Sequence, residues 1–188
     1  MDNKKGFTII EVSLVLAIAG MIFMMAFLVL PGLWASERDA ERRDDMIKFI
    51  NNLKNFQTNN NRGALPENGT LPSGSSVVSV TWPIVGNAST TSWAGFYRDF
   101  LGENFTDPRG DNYKLQVVNC GKINPSSPCT DRKITEELAN STFPNDYNMY
   151  VVLGATCDGS TAIKSANNRK VAVLYRLERG NGTYCANS

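Results

Sequence analysis

The chain carries the sequence KKGFTIIE at residues 4–11, followed by an uncharged and mostly apolar run to Ser36. An ordinary secretory signal has its small-residue cleavage site after the apolar region and loses that region on cleavage. Here Gly6 precedes the apolar run, so cleavage after it leaves the hydrophobic segment on the mature protein. A carboxylate costs roughly 2.5–3.5 kcal/mol at the centre of a membrane helix. We therefore expect Glu11 to need a counter-charge, and the new α-amino group of Phe7 would supply one.

The apolar run predicts one membrane crossing with a defined orientation. Val12–Trp34 exceeds the roughly 20 residues that a helix needs to cross a hydrocarbon core. Lys4 and Lys5 should stay in the cytoplasm, which sends everything after the run to the outside. All four cysteines fall in that exported part, where disulfides persist. We therefore expect a single-pass membrane protein with an external domain.

This N-terminus resembles the class III signal of the type IV pilin family. The resemblance rests on Lys4-Lys5-Gly6-Phe7-Thr8-Ile9-Ile10-Glu11 and on the apolar span directly after it. It implies cleavage by a prepilin peptidase after Gly6 and methylation of the exposed Phe7. It also implies that Glu11 takes part in subunit assembly.

The span should continue without a gap into an exposed helix. Residues 37–45 are highly charged, but opposite charges recur at three or four residues, a spacing that supports a helix. Apolar residues then follow at helical spacing and predict packing on a sheet. The helix should end near Asn59–Gly63, which gives about 50 helical residues and a rod of roughly 75 Å. The apolar stripe consists of Met46, Phe49, Ile50, Leu53 and Phe56.

Gly20, Pro31 and Gly32 are expected to interrupt this helix. Proline lacks the amide donor, so Pro31 cannot bond the carbonyl of Phe27, and its ring clashes with that turn. Pilins also carry a glycine where Gly20 falls and a proline further along, although that proline comes about one turn earlier in most of them. The resemblance implies that the stretch between the two can lose helicity in an assembled filament.

The predicted fold class is α+β, with the long helix packed on an antiparallel sheet in a C-terminal head. Three runs rich in Val, Leu and Tyr predict strands at Tyr113–Cys120, Tyr147–Thr156 and Lys170–Arg179. Val77–Val85 predicts a further short strand and Trp93–Phe105 a short helix. The expected organisation is a leader at residues 1–6, a transmembrane and assembly helix at 7–35, an amphipathic helix at 36–62 and a globular head at 63–188.

The four cysteines allow three disulfide pairings. Cys120 and Cys129 close a short, proline-rich loop, and this bridge is favoured. Cys157–Cys185 is then left, and it resembles the loop-closing bridge near pilin C-termini. A regular meander puts Cys157 at the opposite end of the sheet from a hairpin at residues 181–182. A tail that crosses the sheet edge therefore remains an alternative to a final strand.

The composition excludes several kinds of chemistry. The chain has no histidine, which removes Ser-His and Cys-His nucleophiles and the usual zinc ligand sets. Asp107 and Asp111 in the turn before the first well-marked strand are oxygen ligands of the type calcium prefers, but too few carboxylates cluster there, so a structural turn is favoured. The leader accounts for the net charge of +1, so the mature chain has no overall cationic field for nucleic acid. We expect no enzyme activity, no metal and no cofactor.

The resemblance implies a pilin, a membrane subunit that polymerises into a filament on the cell surface. Its partners would be other pilin subunits, the prepilin peptidase, an inner-membrane platform protein, an assembly ATPase and, before assembly, membrane lipid. The filament would serve adhesion, twitching motility or DNA uptake, with a host surface or DNA as its ligand. Two alternatives stay open: a pseudopilin of a type II secretion-like system, and a membrane-anchored binding domain that never polymerises. Glu11 speaks against the last, because a plain anchor has no use for that charge.

Overall fold

The computed structural model describes residues 6–60, 63–67, 77–80, 83–84, 88–119, 148–179 and 182–188. Its dominant element is the helix α1, Ile9–Asn60, whose 52 residues make a rod of about 78 Å. The helix ends where the sequence predicted. Gly63 adopts a φ of +83°, and its amide donates to the carbonyl of Gln57 at 2.9 Å. This left-handed residue terminates the helix, as glycine commonly does.

The predicted interruption of this helix is wrong for the isolated chain, because α1 runs through Gly20, Pro31 and Gly32 without a break. Proline at position 31 removes only its own amide donor, and the hydrogen bonds on either side keep the helical geometry. Each glycine weakens a helix by about 1 kcal/mol relative to alanine, which is not enough to end it. The three residues are therefore weak points in a continuous helix.

Five strands form the main sheet, in the order β1-β2-β3-β6-β7. Three of its four pairings are antiparallel, but β2 and β3 run parallel. The predicted antiparallel pairing therefore holds for three of the pairs, and the parallel β2–β3 pair departs from it. Hydrophobic alternation marks strands without fixing their direction, and a parallel pair needs a long crossover. That connection, residues 120–147, lies outside the described residues, as does the expected Ile134–Asn140 helix within it. The strands are β1 (Val77–Val80), β2 (Lys114–Asn119), β3 (Asn148–Leu153), β6 (Val171–Arg176) and β7 (Thr183–Asn187).

A two-stranded hairpin covers the second face of the sheet. The predicted strand at residues 147–156 is divided at Gly154, where a φ of +69° turns the chain out of the main sheet. The hairpin consists of β4 (Ala155–Asp158) and β5 (Thr161–Lys164). Ala155 and Ala162 are buried in it with Tyr150, Val152, Ala172, Leu174 and Val118 of the sheet.

The first face of the sheet carries the main core, and α1 packs on it. All five residues of the predicted stripe are buried, with at most 4% exposure, which confirms that prediction. A short helix α2 (Trp93–Phe96) and the π-helical turn that follows it, Tyr97–Leu101, close one end of this core. Phe49 and Phe56 of α1 both meet Phe96 edge to face at 5.6 Å. Each such aromatic pair contributes roughly 0.5–1.5 kcal/mol beyond its buried area.

Candidate processing and assembly segment

The predicted cleavage junction lies outside regular secondary structure, just before α1. Gly6, Phe7 and Thr8 are outside the helix, and Phe7 is 89% exposed. A Cβ added at Gly6 would meet no atom within 4 Å, leaving aside its chain neighbours. The fold of this chain therefore does not require a glycine at position 6. A requirement for a small residue there must come from an enzyme that binds the junction.

Thr8 and Glu11 form a reciprocal cap at the start of α1. The Thr8 amide and hydroxyl both donate to Oε2 of Glu11, each at 3.0 Å, and the Glu11 amide donates back to Oγ1 of Thr8 at 3.3 Å. This is a capping box, which satisfies amide groups that a helix start leaves unbonded. The Thr8–Glu11 capping box was not predicted from the sequence, although Thr-x-x-Glu before an apolar run is the known signature of such a box. Glu11 thus has a role within one chain before any second subunit is considered.

The first half of α1 projects from the head with its apolar side chains uncovered. Within the described residues, α1 is the one helix that is long and apolar enough to cross a membrane. Its large hydrophobic side chains between Ile9 and Trp34 are between 38% and 88% exposed. Apolar surface of this extent is not stable in water, so lipid or other helices must cover it. The exposed set includes Val12, Leu14, Val15, Leu16, Ile18, Met21, Ile22, Phe23, Met24, Met25, Phe27, Leu28 and Leu33.

A buried ion cluster joins α1 to the head directly beyond this apolar segment. Arg42 is 1% exposed and binds Asp107 through two bonds, from Nε at 2.6 Å and from Nη2 at 3.0 Å. Its Nη1 donates to Asp39 at 2.9 Å and to Glu178 at 3.3 Å. We refer to Asp39, Arg42, Asp107 and Glu178 as the helix–head clamp. The clamp connects α1 with the turn before β2 and with the chain after β6.

Further hydrogen bonds complete the clamp. The Asp39 carboxylate accepts the backbone amides of Glu178 and Arg179, each at 2.8 Å. Glu178 binds two more guanidinium groups, Arg38 at 2.7 Å and Arg109 at 2.5 Å. Among the described residues, the cluster with these two arginines holds three positive and three negative groups. Such balance matters because a buried charge without a partner costs several kcal/mol.

The pKa values of the clamp groups reflect these contacts. The hydrogen bond from Arg38, assisted by Arg109, lowers the pKa of Glu178 from 4.5 to about 2. Burial alone would lower the pKa of the Arg42 guanidinium. Its hydrogen bonds and attraction to Asp107 outweigh that effect and raise its pKa above the ordinary value. Both groups therefore remain charged throughout the physiological pH range.

Hydrogen bonds from within the chain hold the side chain of Asp107. Its carboxylate accepts Arg42, the hydroxyl of Tyr175 at 3.0 Å and the amide of Arg109 at 3.1 Å. Its carbonyl accepts the amide of Gly110 at 2.7 Å, which closes the turn. Across the described ranges no three His, Cys, Asp or Glu residues are placed to hold a metal ion. The preference for a structural turn agrees with this geometry.

One of the two expected disulfides is present in the described part of the chain. Cys157 of β4 and Cys185 of β7 are bonded, with their Cα atoms 5.8 Å apart. A regular meander would have placed Cys157 at the opposite end of the sheet from residues 181–182. The β4–β5 hairpin instead folds back over the sheet and brings Cys157 to Cys185. The tail pairs with β6 as the edge strand β7, so the alternative of a tail that crosses the edge is wrong. Cys120 and Cys129 lie outside the described residues, as do Lys4 and Lys5.

The helix–head clamp was not predicted from the sequence. The spacing of opposite charges on α1 predicts pairs within the helix, and this holds for Asp39 and Arg42. Arg38 instead binds Glu178, 140 positions away, while Lys48 pairs with Asp45 on the same helix. One signal was available: Asp39 and Arg42 precede Met46 and Phe49 on the same helical face, the face that becomes buried.

A comparison with known protein families decides what the N-terminus is. Residues 1–27 match the family model described as the prokaryotic N-terminal methylation motif. The chain begins with a class III signal peptide of type IV pilins. This signal peptide implies processing by a prepilin peptidase and assembly with pilin subunits, and the long exposed helix indicates membrane anchoring. The α+β architecture, a long apolar helix followed by a mixed sheet, is consistent with the type IV pilin fold. No curated protein and no solved structure matches the chain.

Proposed function

We propose that this protein is a pilin, a subunit of a type IV pilus-like filament on the cell surface. The observation that carries the proposal is the helix α1, which starts in a class III signal peptide, leaves its apolar half uncovered and anchors its other half in a folded head. A filament uses both halves: the apolar halves bundle into a core, and the heads form the outer wall. The methylation motif supports the pilin-like character of the chain, and assembly of the chain into a filament is what we propose.

Processing is the first part of the proposed function. Residues 1–6 form the leader, the prepilin peptidase cuts between Gly6 and Phe7, and Phe7 is then N-methylated. The exposed, non-helical junction suits an enzyme that needs access to the peptide bond. Cleavage also creates an α-amino group one helical turn from Glu11. That carboxylate then has a cation available in place of the leader lysines.

Assembly is the second part. Subunits wait in the membrane with residues 7–35 in lipid, and a platform protein and an assembly ATPase move them into the growing filament. Glu11 pairs there with the Phe7 amine of a neighbouring subunit, which fixes the axial register of the two helices. When α1 leaves lipid, it loses helical structure at Gly20, Pro31 and Gly32. The finished filament serves adhesion, twitching motility or DNA uptake.

The helix–head clamp supports this proposal because assembly acts on the helix whereas function requires the head. Asp39 and Arg42 lie on α1 directly after the span, and they are bonded to Asp107 and Glu178 of the head. Force or torque applied to residues 7–35 therefore reaches the head through these four residues. A membrane-anchored binding domain without polymerisation needs no such rigid connection. A flexible linker would serve it equally well.

Replacement of Glu11 tests the proposed function. Glu11→Leu removes the one acidic side chain of the apolar segment, and it should leave insertion and cleavage largely intact while filament number falls at least tenfold. Ser13→Ala is the matched control, because it removes another polar side chain within the same turn, whose hydroxyl donates to the Ile10 carbonyl. Surface filaments are counted by electron microscopy beside an immunoblot of processed protein. Normal filament numbers from Glu11→Leu would contradict the assembly role.

A further inference from the structure

Three unpaired carboxylates form an acidic patch on α1 just beyond the membrane span. Glu37, Glu41 and Asp44 are exposed and follow one another at four and three residues, which places them on one face of the helix. Within the described ranges none of the three forms an ion pair, whereas Asp39 and Asp45, which are turned towards the head, both do. Lys48 is paired with Asp45 at 2.8 Å, and it is also attracted, more weakly, by Asp44 and Glu41.

A basic groove lies at the other end of the same helical segment. It has a volume of about 610 Å³ and runs between the last turns of α1 and residues 167–170. Lys54 and Arg169 make no ion pair in the part of the chain that the structure describes, and Lys170 donates to the Ser188 carbonyl at 2.6 Å. All three side chains are exposed. The polar walls of the groove are completed by Gln57, Thr58, Asn167 and Ser188.

The patch and the groove cannot neutralise each other within one subunit. Glu41 and Lys54 are 13 residues apart on a straight helix, which corresponds to an axial separation of about 20 Å. Charges in water are largely screened beyond about 8 Å at physiological ionic strength. At about 100° per residue the two side chains also point about 140° apart around the helix axis. The two sites therefore do not neutralise each other within one subunit, and both are exposed to a second molecule.

A second copy of the chain is the partner that fits. We infer that the acidic patch of one subunit binds in the basic groove of the next, so that the two sites form the contact between heads along the filament. Every subunit enters the membrane with the same polarity, so neighbouring α1 helices are parallel. A copy shifted outward by about 20 Å places its patch level with the groove of the copy nearer the membrane.

The geometry of this contact agrees with an open polymer. The two sites are different surfaces on different sides of α1, so the contact is heterologous, and heterologous contacts that do not close generate helical filaments. Complementary charge also suppresses wrong registers, because a shift that brings like charges together is repelled. This inference rests on the proposed filament function and adds the residues that set the spacing of its heads.

Charge reversal on both sides tests the contact. One variant carries Glu41→Lys and Asp44→Lys, a second carries Lys54→Glu and Arg169→Glu, and a third carries all four changes. Each single-sided variant should reduce the number of surface filaments at least tenfold, and the four changes together should restore it to within about threefold of the unaltered chain. Lys164→Glu is the control, because this exposed lysine lies on β5, on the opposite face of the sheet from α1. Immunoblots of processed subunit accompany each count.

The outcomes separate this contact from the filament function itself. No filaments from the unaltered chain would overturn both. Filaments from the unaltered chain, with no recovery in the fourfold variant although its subunit is processed normally, would overturn the contact alone. Normal filament numbers from the Lys54→Glu, Arg169→Glu variant, together with loss of double-stranded DNA adsorption by the purified filaments, would show that the groove binds a polyanion and would also overturn the contact.

Disulfide trapping gives a second measurement that does not depend on charge. A chain with Glu41→Cys and Arg169→Cys should form a ladder of cross-linked subunits when sheared filaments are mildly oxidised. A chain with Glu41→Cys and Lys164→Cys should form none. Equal ladders from both chains, or no ladder from the first, would overturn the proposed pairing of patch and groove.

Discussion

Replacement of Arg42 by alanine should destabilise the head strongly, because it leaves two buried carboxylates without their counter-charge. The side chains of Asp107 and Asp39 are 0% and 6% exposed, and both bind the Arg42 guanidinium. Removal of one partner from a buried ion pair costs about 3–5 kcal/mol. At roughly 2–4 °C per kcal/mol for a domain of this size, the midpoint of thermal unfolding should fall by roughly 6–20 °C. Near-ultraviolet circular dichroism of the full-length protein in detergent would follow the transition.

Arg43 provides the matched control for this experiment. It is the adjacent arginine on the same helix, but it is exposed and lies over the Tyr184 ring with Cζ 5.2 Å from the ring centroid. A cation–π contact of this kind contributes about 0.5–1 kcal/mol, so Arg43→Ala should lower the midpoint by only a few degrees. Equal shifts for Arg42→Ala and Arg43→Ala would refute the reasoning, because they would mean that the clamp charges are solvated rather than buried.

The remaining predictions concern acid and the disulfide. The pKa of Glu178 is about 2 in the folded protein, below its ordinary value of 4.5, so its contribution is complete above pH 4.5 and is lost as the pH falls from 4.5 towards 2. The pKa shift corresponds to about 3 kcal/mol of stability without screening and about 1–2 kcal/mol with it. As the pH is lowered, the midpoint of unfolding should therefore fall less steeply for Glu178→Gln than for the unaltered chain. Identical curves for the two chains would contradict the lowered pKa of Glu178. The Cys157–Cys185 bridge spans 28 positions, and a loop of this length should stabilise the fold by about 3–4 kcal/mol. Paired replacement of both cysteines by serine should therefore lower the denaturant midpoint, and an unchanged midpoint would show that the bridge only secures the β7 edge locally.

Local patterns in the sequence predicted most of the elements. The apolar stripe on α1 is buried as expected, because helical spacing directly determines which side chains share a face. The strands at Lys114–Asn119 and Val171–Arg176 fall within their predicted ranges for the same reason. The Thr8–Glu11 cap was also available from the sequence, since a capping box is defined by two residues at a fixed spacing.

Features that depend on distant parts of the chain were not predictable in this way. The parallel pairing of β2 with β3 depends on the path of the connection between them, on which side-chain alternation has no bearing. The division of the predicted strand Tyr147–Thr156 at Gly154 depends on which way the chain turns at this glycine, which the sequence pattern allowed either within or outside a strand. The burial of Arg42 depends on its partners Asp107 and Glu178, which lie in other elements, 65 and 136 positions away in the sequence.

The central claim is that this chain is a processed subunit of a filament. Determination of the N-terminal residue of the subunits in purified filaments tests this claim most directly. Filaments sheared from cells are purified, and the intact mass and N-terminal sequence of their subunits are determined. The account predicts that this chain is present, that it begins at N-methylated Phe7 and that it retains the apolar segment Val12–Trp34. Filaments that lack the chain, or a mature chain that begins beyond Trp34, would contradict the account.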